Sequence, residues 1–178
     1  GMTIRVHPGL PDEETSIGLA ELDIDGAMVD IIGNNRTIRD VYHLDAKTED
    51  YDAVMERLNR NGVPLVPHII LGLHFGKMLG EWKALEMTSK YQLKLLVLVI
   101  LMPLNGTQMQ NISPPSLKEI GDFFNTARKA LPKTEIMLGC ARPLGKIKIE
   151  VDRLAIEAGL NGIAYPAEGT LSYARQHG

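Results

Sequence analysis

One cysteine in 178 residues, Cys140, excludes an intrachain disulfide and any zinc or iron–sulfur site held mainly by thiolates of this chain. Neither sign of charge is in large excess. The 19 Lys and Arg against 22 Asp and Glu leave a net charge of −3, so there is no broad cationic surface to neutralise a phosphate backbone, and nucleic acid is not an expected partner. Long hydrophobic runs are missing as well. The longest, Leu95 to Leu104, is too short to cross a bilayer, and the N-terminus lacks the charged and apolar regions of a signal peptide. No membrane partner is expected from this pattern, and a cytoplasmic location is. Gly1 ahead of Met2 reads as a cloning scar, which puts the natural start at Met2. What remains is ordinary: 44% hydrophobic and 23% charged residues suit one globular domain over residues 2–178 with a sizeable core.

Short apolar runs rich in β-branched residues alternate with longer stretches of helical period, the pattern that gives parallel strands joined by crossover helices. Six such units are expected. Their strands read as Ile4–His7, Ala27–Gly33, Pro64–Leu73, Leu95–Met102, Glu135–Cys140 and Gly162–Tyr165. Helices are expected at about Asp12–Leu22, Asp50–Asn59, Leu79–Ser89, Ser116–Ala130 and Glu150–Ala158, with a last one from Glu168. Ser116 and Glu119 form an S-x-x-E capping box after Pro114 and Pro115, while Asn61-Gly62 and Ala158-Gly159 look like helix C-terminal signals. The passages Leu22-Asp23-Ile24-Asp25-Gly26 and Ala158-Gly159-Leu160-Asn161-Gly162 echo each other, as repeated βα units would.

The run Leu95 to Met102 is apolar at every position, which predicts a strand covered on both faces. Six units at roughly 30 residues each match the rate of a (β/α) barrel, about 250 residues for eight. The fold class predicted is therefore α/β, a partial and open TIM-like (β/α) barrel of about six parallel βα units, two short of closure.

Ligand sites in such folds lie outside the carboxyl ends of the strands. The first strand leaves through His7-Pro8-Gly9, the second through Gly33-Asn34-Asn35-Arg36, and the third through Gly72-Leu73-His74-Phe75-Gly76-Lys77. Pro103-Leu104-Asn105-Gly106-Thr107, Cys140-Ala141-Arg142-Pro143 and Tyr165-Pro166-Ala167-Glu168 follow the other three. Gly and Pro at these places are also ordinary turn punctuation. His68 and His74 share parity on one strand and would face the interior, either as ligand groups or as hydrogen-bonded core residues. His43 and His177 read as surface residues. Cys140 reads as a small buried apolar residue, with a reactive or ligating thiol as its other role. A mononuclear metal on His7, His74 and Cys140 is conceivable because all three stand at one barrel end. Arg142, a cation at a strand's carboxyl end, suits an anionic ligand.

With these exits in place, the chain from Ile4 onward resembles the radical-SAM superfamily, specifically its biotin synthase-like branch. Ile70-Leu71-Gly72-Leu73 is similar to the family's strand-five glycine motif, whose backbone lies against the adenine of S-adenosylmethionine. Pro103 to Thr107 resembles the family loop after strand six that ends in Gly106-Thr107, and Gly139-Cys140-Ala141-Arg142 resembles the strand-seven segment whose arginine points into the barrel. Asn34 falls where the family has a polar residue on the cofactor's ribose. The resemblance starts at strand three of the family's barrel, in agreement with the two-unit deficit.

Departures are equally plain. The family's Cys-x3-Cys-x2-Cys loop, which holds a [4Fe–4S] cluster, has no counterpart here. His68 stands for the glycine motif's first Gly and Phe75 for its Glu, and Arg5 and Val66-Pro67 occupy the region where biotin synthase carries cysteines for a second cluster. The resemblance thus implies a substrate- and adenosine-binding subunit of a split radical-SAM enzyme, inactive alone, with S-adenosylmethionine bound alongside a cluster-bearing partner chain. The ligand-binding residues expected are His7, Asn34, His68, Ile70, Gly72, His74, Gly106, Thr107, Cys140 and Arg142, with no catalytic or metal-ligating residue assigned. The alternative is a non-catalytic remnant that binds a small anionic metabolite. The unpaired outer strands imply either a partner chain or a homodimer formed through the open sheet edges.

Overall fold

A computed structural model describes residues 1–177. Its six strands are β1 (Arg5–Val6), β2 (Gly26–Asp30), β3 (Leu65–Leu71), β4 (Leu95–Ile100), β5 (Glu135–Leu138) and β6 (Gly162–Ile163). They form one sheet in sequence order, and each pairs in parallel with the next. Helices α1 (Glu13–Glu21), α2 (Asn35–Thr37), α3 (Thr48–Arg60), α4 (Glu81–Thr88), α5 (Leu117–Ala130), α6 (Lys146–Glu157) and α7 (Thr170–His177) alternate with them. This is the open, TIM-like α/β arrangement of six units that the pattern predicts.

Alternation along the strands sorts side chains between two cores. Ala27, Val29, Ile69, Leu71, Leu96, Leu98, Ile100, Ile136 and Leu138 enter the main core under the helices, where they meet Met55, Leu58, Phe123 and Phe124. Residues of the opposite parity, Val66, Leu95 and Val97 with Met28, Val99 and Met137, form a smaller cluster on the other face of the sheet. Each fully buried Leu or Ile contributes roughly 1.5–3 kcal/mol relative to exposure, so β4, buried through Leu98 and again at Ile100, anchors both layers.

The strands end earlier than the apolar runs do. Ile31, Ile32 and Leu101 stay buried beyond the last paired residues, so burial continues where the regular ladder stops. Helix signals behave as their chemistry requires. Glu119 N–H donates to Ser116 Oγ and Ser116 N–H to Glu119 Oε2, closing the capping box, and Gly62 and Gly159 have the positive φ of helix-terminal glycines. The Asp25 and Asn161 passages share a hydrogen-bond geometry. Asp25 N–H donates to Ile4 O while Ile4 N–H donates to the Asp25 carboxylate, and Asn161 and Ile136 repeat the same reciprocal pair.

Two consecutive segments are absent from the sequence expectation, the short helix α2 and the turn that follows it. After α2 the chain makes a π-helical turn, Ile38–Tyr42, ending at His43 with φ 54. Such wide turns occur often at functional sites. Both outer strands are two residues long and paired on one side only.

Candidate functional site

The loops that leave β2, β3 and β4 line an open pocket of about 400 Å³. The π-helical turn supplies Asp40 and Val41, the loop after β3 supplies Phe75, and the loop after β4 supplies Met102, Leu104 and Thr107. Phe75 is presented by a compact turn. Gly76 N–H donates to Gly72 O at 2.8 Å, and Phe75 itself takes a positive φ of 50. Gly72, with φ 76, is required there twice over: a Cβ would also lie 2.4 Å from Pro115 Cδ. Thr107 donates from Oγ1 to Leu104 O at 2.7 Å and accepts from Met109 N–H at 3.3 Å, which tightens the loop around the pocket.

Of the expected ligand residues, Thr107 lines this pocket, and Gly106 is exposed one position earlier with φ 82. His43, read as a plain surface residue, lines it too. His74 is buried next to it, with Nδ1 3.2 Å from Thr37 Oγ1 and its ring edge-on to Phe75. Ile70 is half-buried on β3. His68 and His7 come together elsewhere, His68 in the middle of β3 and His7 just after β1, with ring centroids 5.4 Å apart.

Other residues take roles different from those expected. Asn34 caps α2, its Oδ1 accepting from Arg36 N–H and Thr37 N–H. Gly72 is buried and donates its N–H to Glu81 Oε1 at 2.9 Å, so that backbone group is not free for an adenine. Cys140 is exposed, not a buried apolar residue, because it follows the end of β5 instead of lying within the strand. Arg142 is 1% exposed and four of its five N–H groups are engaged by the protein: Asp152 Oδ1, Gly139 O, Ala164 O and Tyr165 O. It is a structural tie, not an anion-binding cation. His7, His74 and Cys140 do not assemble, and among the described residues no three His, Cys, Asp or Glu side chains group as metal ligands.

Two buried acids were missed by sequence reasoning. Glu81, 5% exposed, accepts from Gly72 N–H and Gly80 N–H and thereby clamps the loop after β3 to the start of α4. Burial pushes its carboxyl above the usual range, against the opposing pull of those backbone donors. Asp152 bonds Arg142, Ala167 N–H and Thr170 Oγ1. It sits beside the apolar stripe Val151, Leu154, Ala155 and Ala158, where periodicity alone reads a solvent-facing acid. Burial also lowers the basicity of His68 and of His74. A carbonyl can only accept, so His68 donates Nδ1–H to Val66 O at 3.2 Å and leaves Nε2 as an acceptor.

No family model matches the chain, and no curated protein matches it. Solved structures do match its fold. Methylornithine synthase (PylB) superposes with a TM-score of 0.63 at 18% identity over 92% of this chain and 47% of that one. The carboxyl transferase domain of pyruvate carboxylase from Rhizobium etli superposes with a TM-score of 0.55 at 12% identity, over 95% and 27%. The chain therefore spans about half the length of the first and a smaller part of the second. At these identities the likeness concerns the fold alone: an open, TIM-like α/β barrel arrangement that proteins with different names share. Among the described residues no helix is long and apolar enough to cross a membrane.

Proposed function

We propose that this chain is the adenosine- and substrate-binding part of a radical-SAM-like barrel, with the iron–sulfur cluster held by other polypeptide. The observation that carries the reading is the pocket of about 400 Å³ at the carboxyl ends of β2 to β4, which contains Thr107 of the Gly-Thr loop. Its lining suits a nucleoside: Phe75, Met102 and Leu104 offer apolar surface to a base, and His43 and Gln108 offer polar side chains to hydroxyl or amino groups. Asn34 and the Gly72 N–H, which the resemblance implicates, are bonded to the protein, and Thr107 Oγ1 is held within its own loop, so this reading moves the ligand onto Phe75, Met102, His43 and Gln108.

The [4Fe–4S] cluster does not fit this chain. One exposed cysteine cannot replace a thiolate triad, and no step is assigned to a cluster here. A small-anion reading loses its main support because Arg142 is neutralised by Asp152. The short, singly paired outer strands suit completion by further βα units, and a cluster-bearing partner is the source proposed.

A thermal shift titration with S-adenosylhomocysteine tests the binding claim. Ligand at a hundred times its Kd adds about 2.7 kcal/mol, or roughly 5–10 °C in Tm for a chain of this size. The expected result is a saturable rise that Thr107→Trp abolishes. No rise, or one unchanged by Thr107→Trp, contradicts it.

A further inference from the structure

A second cleft, of about 290 Å³, opens at the carboxyl ends of β1 and β2 and shares none of the mouth pocket's lining residues. Asp30 lines it, half-buried at the end of β2. This carboxylate has no ion pair among the described residues. Among the described residues its one side-chain hydrogen bond comes from Tyr42 Oη, which donates at 2.9 Å. Tyr51 lines the same cleft, is 3% exposed, and has a hydroxyl without a partner among the described residues, although that hydroxyl is not sealed from solvent. Burial, and after it the Asp30 charge, holds both phenols in their neutral form.

We infer that this cleft binds a primary alkylammonium group, with Asp30 as its counter-charge. A partly desolvated carboxylate favours a cation, and one that also donates hydrogen bonds is favoured most. The tyrosine rings add electron-rich faces suited to an ammonium, and Leu10, Met28 and Leu44 supply an apolar wall for its stem. Acceptors dominate the surroundings, because Tyr42 has spent its proton on Asp30 and His68, against His7, keeps Nε2 as an acceptor. Arg5, on β1 two residues before His7, makes no ion pair with Asp30. A metal ion is the less suitable occupant, since among the described residues no three ligating side chains converge.

Butylammonium, 1-butanol and butyrate, titrated separately into the protein at pH 7.5 and followed by NMR shifts, decide the matter. Saturable butylammonium binding is expected, about tenfold or more tighter than that of the neutral and anionic probes. Asp30→Asn is expected to weaken it about tenfold, the scale of one charge-assisted hydrogen bond. Leu44→Trp blocks the cleft without touching the carboxylate, so it gives the same loss should Asp30→Asn fail to fold. Equal binding of butanol, full affinity in either variant, or no butylammonium binding overturns the inference. So does Zn²⁺ binding that depends on His7 and excludes butylammonium.

Discussion

Arg142 donates from Nε to Asp152 Oδ1 at 2.8 Å, and neither side chain has more than 1% of its surface exposed. Through this pair the end of β5 is tied to α6, and the remaining guanidinium donors reach Ala164 O and Tyr165 O after β6. Asp152 extends the tie to the start of α7 through Ala167 and Thr170. A residue placed at the ligand end of a strand thus acts as the joint between the last two βα units.

Removing one partner leaves a buried charge without compensation. Asp152→Ala is expected to lower stability by about 3–5 kcal/mol, measured by urea denaturation. Arg142→Met is expected to destabilise as well while leaving S-adenosylhomocysteine affinity in the folded fraction unchanged. Loss of affinity without loss of stability contradicts the structural role.

Glu81 gives a pH signature. Burial raises its folded-state value above the ordinary 4.5, so the native state holds this proton more tightly than the unfolded chain. The resulting stability is complete below about 4.5 and is lost as pH rises through the folded value. Gln cannot accept from both Gly72 N–H and Gly80 N–H, so Glu81→Gln is expected to cost about 1–3 kcal/mol at acid pH. Denaturation across pH 4 to 8 should show this cost shrinking as pH rises. A cost independent of pH contradicts the assignment.

His68 and His74 titrate in the opposite sense. Burial depresses both below the ordinary 6.5, so the stability tied to their neutral forms is present above 6.5 and lost as pH falls through the folded values. NMR titration of the histidine Cε1–H resonances checks this: both should titrate with midpoints below 6.5. Protonation of either at its ordinary value contradicts the burial of that ring.

Sheet edges provide a further test. Co-expression with a cluster-bearing radical-SAM chain should yield a complex that co-purifies with this protein, and hydrogen exchange at β1 and β6 should slow within it. A homodimer with protected edges, or no complex and unprotected edges, contradicts the partner proposal.

The scaffold was legible because parallel strands buried on two faces and amphipathic helices leave strong periodic signals. β4, apolar throughout, and α5, opened by its capping box, lie where the pattern predicts them. The loops were not legible to the same degree. Asn34 and Gly72 carry the right residue types for a ligand, yet local geometry engages their polar groups, as a helix cap and in a bond to Glu81. Cys140 was read as buried because it was placed within the fifth strand, but β5 stops at Leu138 and the thiol emerges. The pairing of Arg142 with Asp152 spans a loop and a helix turn, and no periodicity encodes it. Asp40 and His43 reach the pocket through a π-helical turn that lacks a sequence signature of its own.

Methyl NMR on protein labelled at the methionine ε-carbons tests the ligand site most directly, since Met102 and Met109 line the mouth pocket and Met28 lines the ammonium cleft. With S-adenosylhomocysteine added, we expect intermolecular NOEs from the adenine protons to Met102 and Met109 and none to Met28. Adenine NOEs to Met28 alone, or to no methionine at saturating ligand, contradict the account.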